Sequence, residues 1–176
     1  MNNFLPVTKK EMLDLGWEQP DIVYISGDAY VDHPSFGASI ITRVLQARGY
    51  KVAVISQPDW HKKDDFMRFG KPRLAFFISS GNIDSMVAHY TVAKKPRRTD
   101  AYTAGGVIGK RPDRAVIVYS NAVKNIYPDT PVVIGGLEDR RRDQQPPHAR
   151  ARLPHARRGV RRRTVRITGP TRVLHF

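Results

Sequence analysis

Short apolar runs alternate with stretches of helical spacing along the first 138 residues, and the alternation predicts the fold. Asp21 to Ser26 (DIVYIS) is a compact run of β-branched and aromatic residues closed by Gly27 and Asp28, the pattern of a buried strand. From Phe36 to Arg48 the period changes: Ile40, Ile41, Val44 and Leu45 share one stripe, and Gly49 stands where a helix ends. Lys51 to Ser56 (KVAVIS) repeats the strand pattern, so the three segments form a βαβ unit with a right-handed crossover. Asp59 is placed to cap a short helix running to Phe69, with Gly70 and Pro72 ending it. Leu74 to Ser80 (LAFFISS) is a third strand, and Asn82 or Asp84 opens a helix carrying Met86, Val87 and Tyr90.

Residues 91 to 112 follow as a long basic loop rich in Gly, Pro and Thr, a length usually associated with function or mobility. The run AVIVY at 115–119 looks like a strand in isolation. Val116, Tyr119, Val123 and Ile126 nevertheless keep helical spacing up to Pro128, so a helix over 113–127 is predicted. Pro131 to Ile134 (PVVI), followed by Gly135 and Gly136, is the fourth strand. The fold class is α/β, a doubly wound, mostly parallel sheet of Rossmann-like type with helices on both faces.

Charge divides the chain at the point where this alternation stops. The net charge of +14 splits into +4 over residues 1–138 and +10 over residues 139–176, where twelve Arg occur without a single Lys. Such a segment has too little apolar surface to offset its ordering entropy. Two regions are expected: an α/β domain over 1–138, incomplete at its C-terminal end, and a disordered basic tail over 139–176. Arg, Pro and His without Lys is also what GC-rich DNA read out of frame would encode, so a frameshift near codon 138 is a second expectation for the tail.

The chain of 176 residues has no cysteine, hence no disulfide, thiolate nucleophile or Cys-ligated metal. It shows neither a leader-like N-terminus nor a run of about 18 apolar residues, so a cytoplasmic location without membrane contact is expected. No GxGxxG follows the first strand, no GxxxxGK[ST] occurs, and no GxSxG elbow is present, which leaves dinucleotide, P-loop and hydrolase-triad chemistry without their glycines.

Ligands of a parallel sheet bind where the C-terminal strand ends converge. The polar groups placed there are Asp28, Asp32 and His33 after the first strand, Asp59 after the second and Asn82 after the third. Two carboxylates and an imidazole in GDAYVDHPSFG suit a hard metal or ligand; the same residues suit turn and cap positions of the following helix. Trp60, Phe66 and Phe69 read as packing between helix and sheet. KKPRR (94–98) and the Arg-rich tail are suited to nonspecific phosphate contact with nucleic acid, weakening steeply with salt.

Eight successive motifs closely resemble the N-terminal region of the YgiQ family of radical SAM proteins: EMLDLGW (11–17), GDAYVDHPSFG (27–37), QPDW (57–60), KDDFMRFGKPRL (63–74), GNIDSMVAHYT (81–91), DAYT (100–103), GKRPDRA (109–115) and PVVIGGLE (131–138). The resemblance spans roughly residues 5–138 and stops at Asp139. It implies a longer parent in which this domain packs on a radical SAM barrel and helps close its substrate site. There Cys-x3-Cys-x2-Cys would hold a [4Fe–4S] cluster that binds S-adenosylmethionine. None of those cysteines is in this chain, so on this resemblance it is not catalytic alone, and no catalytic or metal residue is assigned to it. The region also resembles the cobalamin-binding domains that precede some such barrels. Their Asp-x-His-x-x-Gly is not matched, since Asp32 and His33 are adjacent and Gly37 lies four residues beyond the His. A small basic nucleic-acid-associated protein and a standalone cobalamin or nucleotide module are the alternative expectations. A sheet ending at PVVI is further expected to leave an apolar surface that the missing chain would cover.

Overall fold

The computed structural model describes residues 4–138; the expected basic tail lies outside the described residues. The elements in chain order are α1 (Lys9–Asp14), β1 (Ile22–Ser26), α2 (Gly37–Ala47), β2 (Val52–Ser56), α3 (Lys63–Met67), β3 (Ala75–Ser79), α4 (Ser85–His89), a 3-10 turn (Ala104–Gly106), α5 (Ala115–Ile126) and β4 (Val132–Gly135). The four strands form one parallel sheet in the order β2-β1-β3-β4. The direction of winding reverses between β1 and β3, which makes their C-terminal ends the switch point of a doubly wound fold.

All five residues of β1 are buried because a neighbouring strand and a packed layer lie on every side of it. On one face Val23, Ile25, Ala53, Ile55, Phe76 and Ile78 meet Met12 of α1, Phe66 of α3 and Ala115, Tyr119 and Val123 of α5. Each fully buried large apolar side chain of this cluster is worth about 1.5–3 kcal/mol. The stripe expected along 113–127 is therefore the inner face of α5. The opposite face is thinner: Ile22, Val52 and Val54 pack with Leu5 beneath α2, and α2 lies over β1 and β2.

One local expectation is corrected, one open choice is resolved, and one helix is added that the periodicity does not show. Helix α1 has no counterpart in the periodicity; a capping box defines it, with Thr8 Oγ1 accepting from Glu11 N and the Glu11 carboxylate accepting from Thr8 N. Asp59 does not cap the following helix, which begins only at Lys63. Its carboxylate accepts from His61 N in a tight turn and pairs with Lys62, because the polar run HKKDD offers no apolar anchor before Phe66. Of Asn82 and Asp84, Asp84 is the cap of α4, its carboxylate accepting from Met86 N and Val87 N.

The stripe of α2 is also turned the other way from a usual surface helix. Ser39 and Thr42 are buried against the sheet side, while Ile40, Ile41 and Val44 are 50%, 43% and 49% exposed. Among the described residues, no helix is long and apolar enough to cross a membrane.

Candidate functional site

The C-terminal ends of β1 and β3 come unusually close. Gly27 N donates to Ser79 O, and a Cβ on Gly27 would lie 2.2 Å from Ser80 O. Gly81 takes a left-handed conformation (φ +107°), and a Cβ there would lie 2.0 Å from the Asp28 carboxylate. Both positions therefore require glycine, on steric grounds and, at Gly81, on backbone grounds as well. The approach brings Asp28, 2% exposed, into the space between the strand ends.

Arg111 fills that space. Its Nη1 donates to Asp28 Oδ1 and Ser80 O, and its Nη2 donates to both carboxylate oxygens of Asp100, all at 2.8–2.9 Å. The guanidinium is 1% exposed and Asp100 2%. Asn82 N donates to Asp28 Oδ2 at 2.6 Å, which ties β3 to the same carboxylate. One cation thus serves two buried anions, an arrangement that rests on near-complete hydrogen bonding.

The two carboxyls respond in opposite directions. Burial pushes Asp28 above its ordinary value against the opposing hydrogen bond from Asn82 and the Arg111 charge. Burial also works on Asp100, but there the hydrogen bonds from Arg111 and the Tyr102 backbone outweigh it and the net shift is downward.

Loop 91–112 carries Asp100 and Arg111 over the strand ends and is folded rather than open. Ala29 N donates to Tyr102 O, and the Gln57 amide donates to Thr103 Oγ1 and Gly27 O. Gln57 holds a left-handed backbone (φ 45°) at the end of β2 while making these contacts. On the outer side of Arg111, His89 Nδ1 lies 2.8 Å from Asp113 Oδ1, and Tyr90 OH donates to Asp113 Oδ2. His89 Nε2 is buried without a hydrogen-bond partner, 4.0 Å from Asp100 Oδ2. A cleft of about 570 Å³ opens beside this wall, with Trp60, Tyr90, Arg97 and Arg114 along its sides. After β4, the Glu138 carboxylate accepts from Ser85 Oγ, Ser85 N and Val116 N, joining the starts of α4 and α5; burial raises its pKa.

The residues expected at the strand ends separate into three places. Asp28 and Asn82 meet at the switch point, and Asn82 also reaches the β1–α2 loop, its side chain accepting from Gly37 N and donating to Ser35 O. Asp32 and His33 lie in that loop: Asp32 is ion-paired with Arg43, and His33 Nδ1 accepts from Ser35 N. Asp59 stands apart in its own turn with Lys62. Arg111, Asp100, His89, Asp113 and Glu138 were not anticipated as site residues. Their one sequence signal was position, within the long loop or in motifs GNIDSMVAHYT, GKRPDRA and PVVIGGLE, since contacts spanning up to 83 residues leave no local pattern.

These residues do not fit an iron–sulfur cluster. The chain has no thiolate to offer, and among the described residues no group of three or more His, Asp or Glu is arranged to hold a metal ion.

Comparison with known proteins gives this domain its relatives. The profile of a family described as Radical SAM N-terminal matches residues 4–144. A UPF0313 protein of Thermotoga maritima is 57% identical over 135 residues, 77% of this chain and 24% of that protein. A UPF0313 protein of Clostridium perfringens is 56% identical over 137 residues, 78% of this chain and 21% of that protein. A third, from Pseudomonas aeruginosa, is 56% identical over 135 residues, 77% of this chain and 18% of that protein. The chain thus spans about a quarter or less of the length of these relatives. No solved structure matches it. With four-fifths of its residues under the family profile and the eight motifs in order, the chain belongs to the radical SAM N-terminal family, among the UPF0313 or YgiQ proteins.

Proposed function

We propose that this chain is the N-terminal α/β domain of a cytoplasmic radical SAM iron–sulfur protein, a scaffold with no reaction of its own. On this reading the [4Fe–4S] cluster and S-adenosylmethionine are held by the part of the longer relatives that this chain does not span, and the domain packs on that part. The observation that carries the reading is the Arg111 guanidinium, bound to Asp28 and Asp100 in the crevice where doubly wound domains hold ligands. A site already filled by three charged side chains favours a structural domain over a standalone cobalamin or nucleotide carrier. Asp28 and Asn82 then lock the strand ends, Asp32 holds Arg43 of α2, Asp59 holds Lys62 of its own turn, and His33 braces a turn.

The test is anaerobic reconstitution with iron and sulfide of the full-length Thermotoga maritima relative and of the 176-residue chain, followed by iron counting and assay of 5′-deoxyadenosine release. The relative is expected to take up a cluster and cleave S-adenosylmethionine, and the chain to do neither. Stoichiometric iron–sulfide uptake by the chain, or none by the relative, overturns the proposal.

A second reading has one observation in its favour. Lys94, Lys95, Arg97 and Arg98 are all exposed on the long loop, a cationic edge suited to phosphate. It predicts weak, sequence-independent nucleic-acid binding that disappears as salt rises; binding that resists salt and prefers certain bases would contradict it.

A further inference from the structure

Helix α2 is amphipathic, and its apolar face is directed away from its own domain. At 100° per residue, Ser39, Thr42 and Gln46 occupy one side, and Ile40, Ile41 and Val44 the side opposite. The sheet-facing side is closed by short polar contacts. Ser39 Oγ donates to Val31 O and accepts from His33 N, while Thr42 Oγ1 donates to Ala38 O. Turning the helix to bury its isoleucines would break both Ser39 contacts and strip that hydroxyl and His33 N of their partners, whereas the Thr42 bond lies within α2 and would turn with it. The outward stripe is thus built into the way α2 is seated.

The uncovered surface continues onto the sheet. Tyr24, Phe77 and Val133 are register partners on the α2 face, yet α2 packs mainly over β1 and β2. Phe77 and Val133, on β3 and β4, are left half-buried. No strand among the described residues pairs with the outer edge of β4.

We propose that the α2 stripe, together with the partly exposed β3–β4 half of that sheet face, is the surface on which the remainder of the longer relatives packs; the inference rests on the reading of this chain as the N-terminal domain of such a protein. Area decides between this occupant and a second copy. A stable association of separate chains needs about 800 Å² and 20–30 residues from each partner, more than three helix side chains and a strip of sheet supply. A covalently joined segment faces its docking surface at millimolar effective concentration, so the same small face suffices. The Thermotoga maritima relative extends beyond the matched region by roughly three times its length, with 57% identity kept within it.

The experiment joins residues 1–138 to the remainder of the Thermotoga maritima relative and compares this chimera with the 176-residue chain. Both are labelled with photogenerated carbenes and read by mass spectrometry, and both are also prepared with Ile40→Asp and Val44→Asp together. Several-fold weaker labelling of Ile40, Ile41 and Val44 is expected in the chimera. The double substitution is expected to lower the melting temperature of the chimera while leaving that of the chain unchanged or raised, which also shows that the variant folds. Equal labelling in the two proteins, or a chimera indifferent to the substitutions, overturns the proposal. Labelling of the chain that falls as its own concentration rises identifies a second copy as occupant and overturns it too. Iron content and S-adenosylmethionine cleavage of the chimera separate the two readings. A competent enzyme with an unprotected α2 sinks only the docking surface, and a remainder that takes up no cluster sinks the proposed function.

Discussion

Arg111 Nη1 donates to Asp28 Oδ1 at 2.8 Å across 83 positions of sequence, and this bond joins the end of β1 to the loop that crosses it. The guanidinium lies between two carboxylates that are themselves nearly inaccessible to water. Removing it leaves two buried anions facing each other. Arg111→Met is expected to destabilise the domain by about 3–5 kcal/mol, the range for breaking a buried ion pair from one side. Adding Asp28→Asn and Asp100→Asn to that variant should recover most of the loss, since no unpaired charge then remains. Urea unfolding of the full chain measures both, and a single variant as stable as the parent would show that Arg111 does not hold the crevice closed.

The same crevice depends on two absent side chains. A methyl group at position 27 meets the Ser80 carbonyl, which belongs to the backbone and cannot swing aside, whereas one at position 81 meets a carboxylate and adds left-handed strain. Gly27→Ala is expected to cost more than about 3 kcal/mol, beyond the usual overpacking range, because the β1–β3 pairing itself must open. Gly81→Ala is expected to displace Asp28 from Arg111 and so to remove most of the benefit of that pair. A thermal melt of each variant, compared with Arg111→Met, checks the order. Additive losses for Gly81→Ala and Arg111→Met would mean that the two do not share one network.

How much of this was legible in the sequence follows from the range of each interaction. The strands were visible because Ile22, Val23, Ile25 and their counterparts in β2 and β3 form unbroken apolar runs ended by Gly or Pro. The helical spacing of Val116, Tyr119 and Val123 likewise separated α5 from a strand. Periodicity showed that α2 is amphipathic but not which way it faces, since a stripe packing on another region looks the same as one packing on its own sheet. The plugged crevice was not legible, because Arg111 is one cation among several in a basic loop and only the closed fold selects it.

Helix α1 marks the other kind of miss, a local signal passed over. Six residues with one fully buried side chain, Met12, give no periodicity, and the Thr8–Glu11 box carries the information. Thr8→Ala is expected to lower stability by about 1 kcal/mol, and Thr8→Ser to leave it nearly unchanged. Amide exchange of Glu11 and Met12 reports the effect locally. An equal loss in both variants would point to the methyl group of Thr8 rather than its hydroxyl.

Acid stability should show two limbs, because the buried carboxyls are shifted in both directions. Hydrogen bonds from Arg73 and Arg43 hold Asp21 and Asp32 below their ordinary values. For these, as for Asp100, the unfolded chain takes up protons first. Their contribution is complete above the ordinary carboxylate value of about 3.9 and is lost as pH falls through the lower folded value. Asp28 and Glu138 have the opposite sign: burial raises them, the folded state binds the proton first, and protonation relieves a cost present at neutral pH. The melting temperature is therefore expected to hold or rise slightly from neutrality down to about pH 4 and to drop below it. Asp32→Asn should shorten the drop, and Glu138→Gln should flatten the upper limb while leaving the lower one in place. A melting temperature that declines steadily from pH 7 to pH 5 would contradict the raised folded values of Asp28 and Glu138. An acid limb untouched by Asp32→Asn would show that the Arg43 pair contributes nothing measurable.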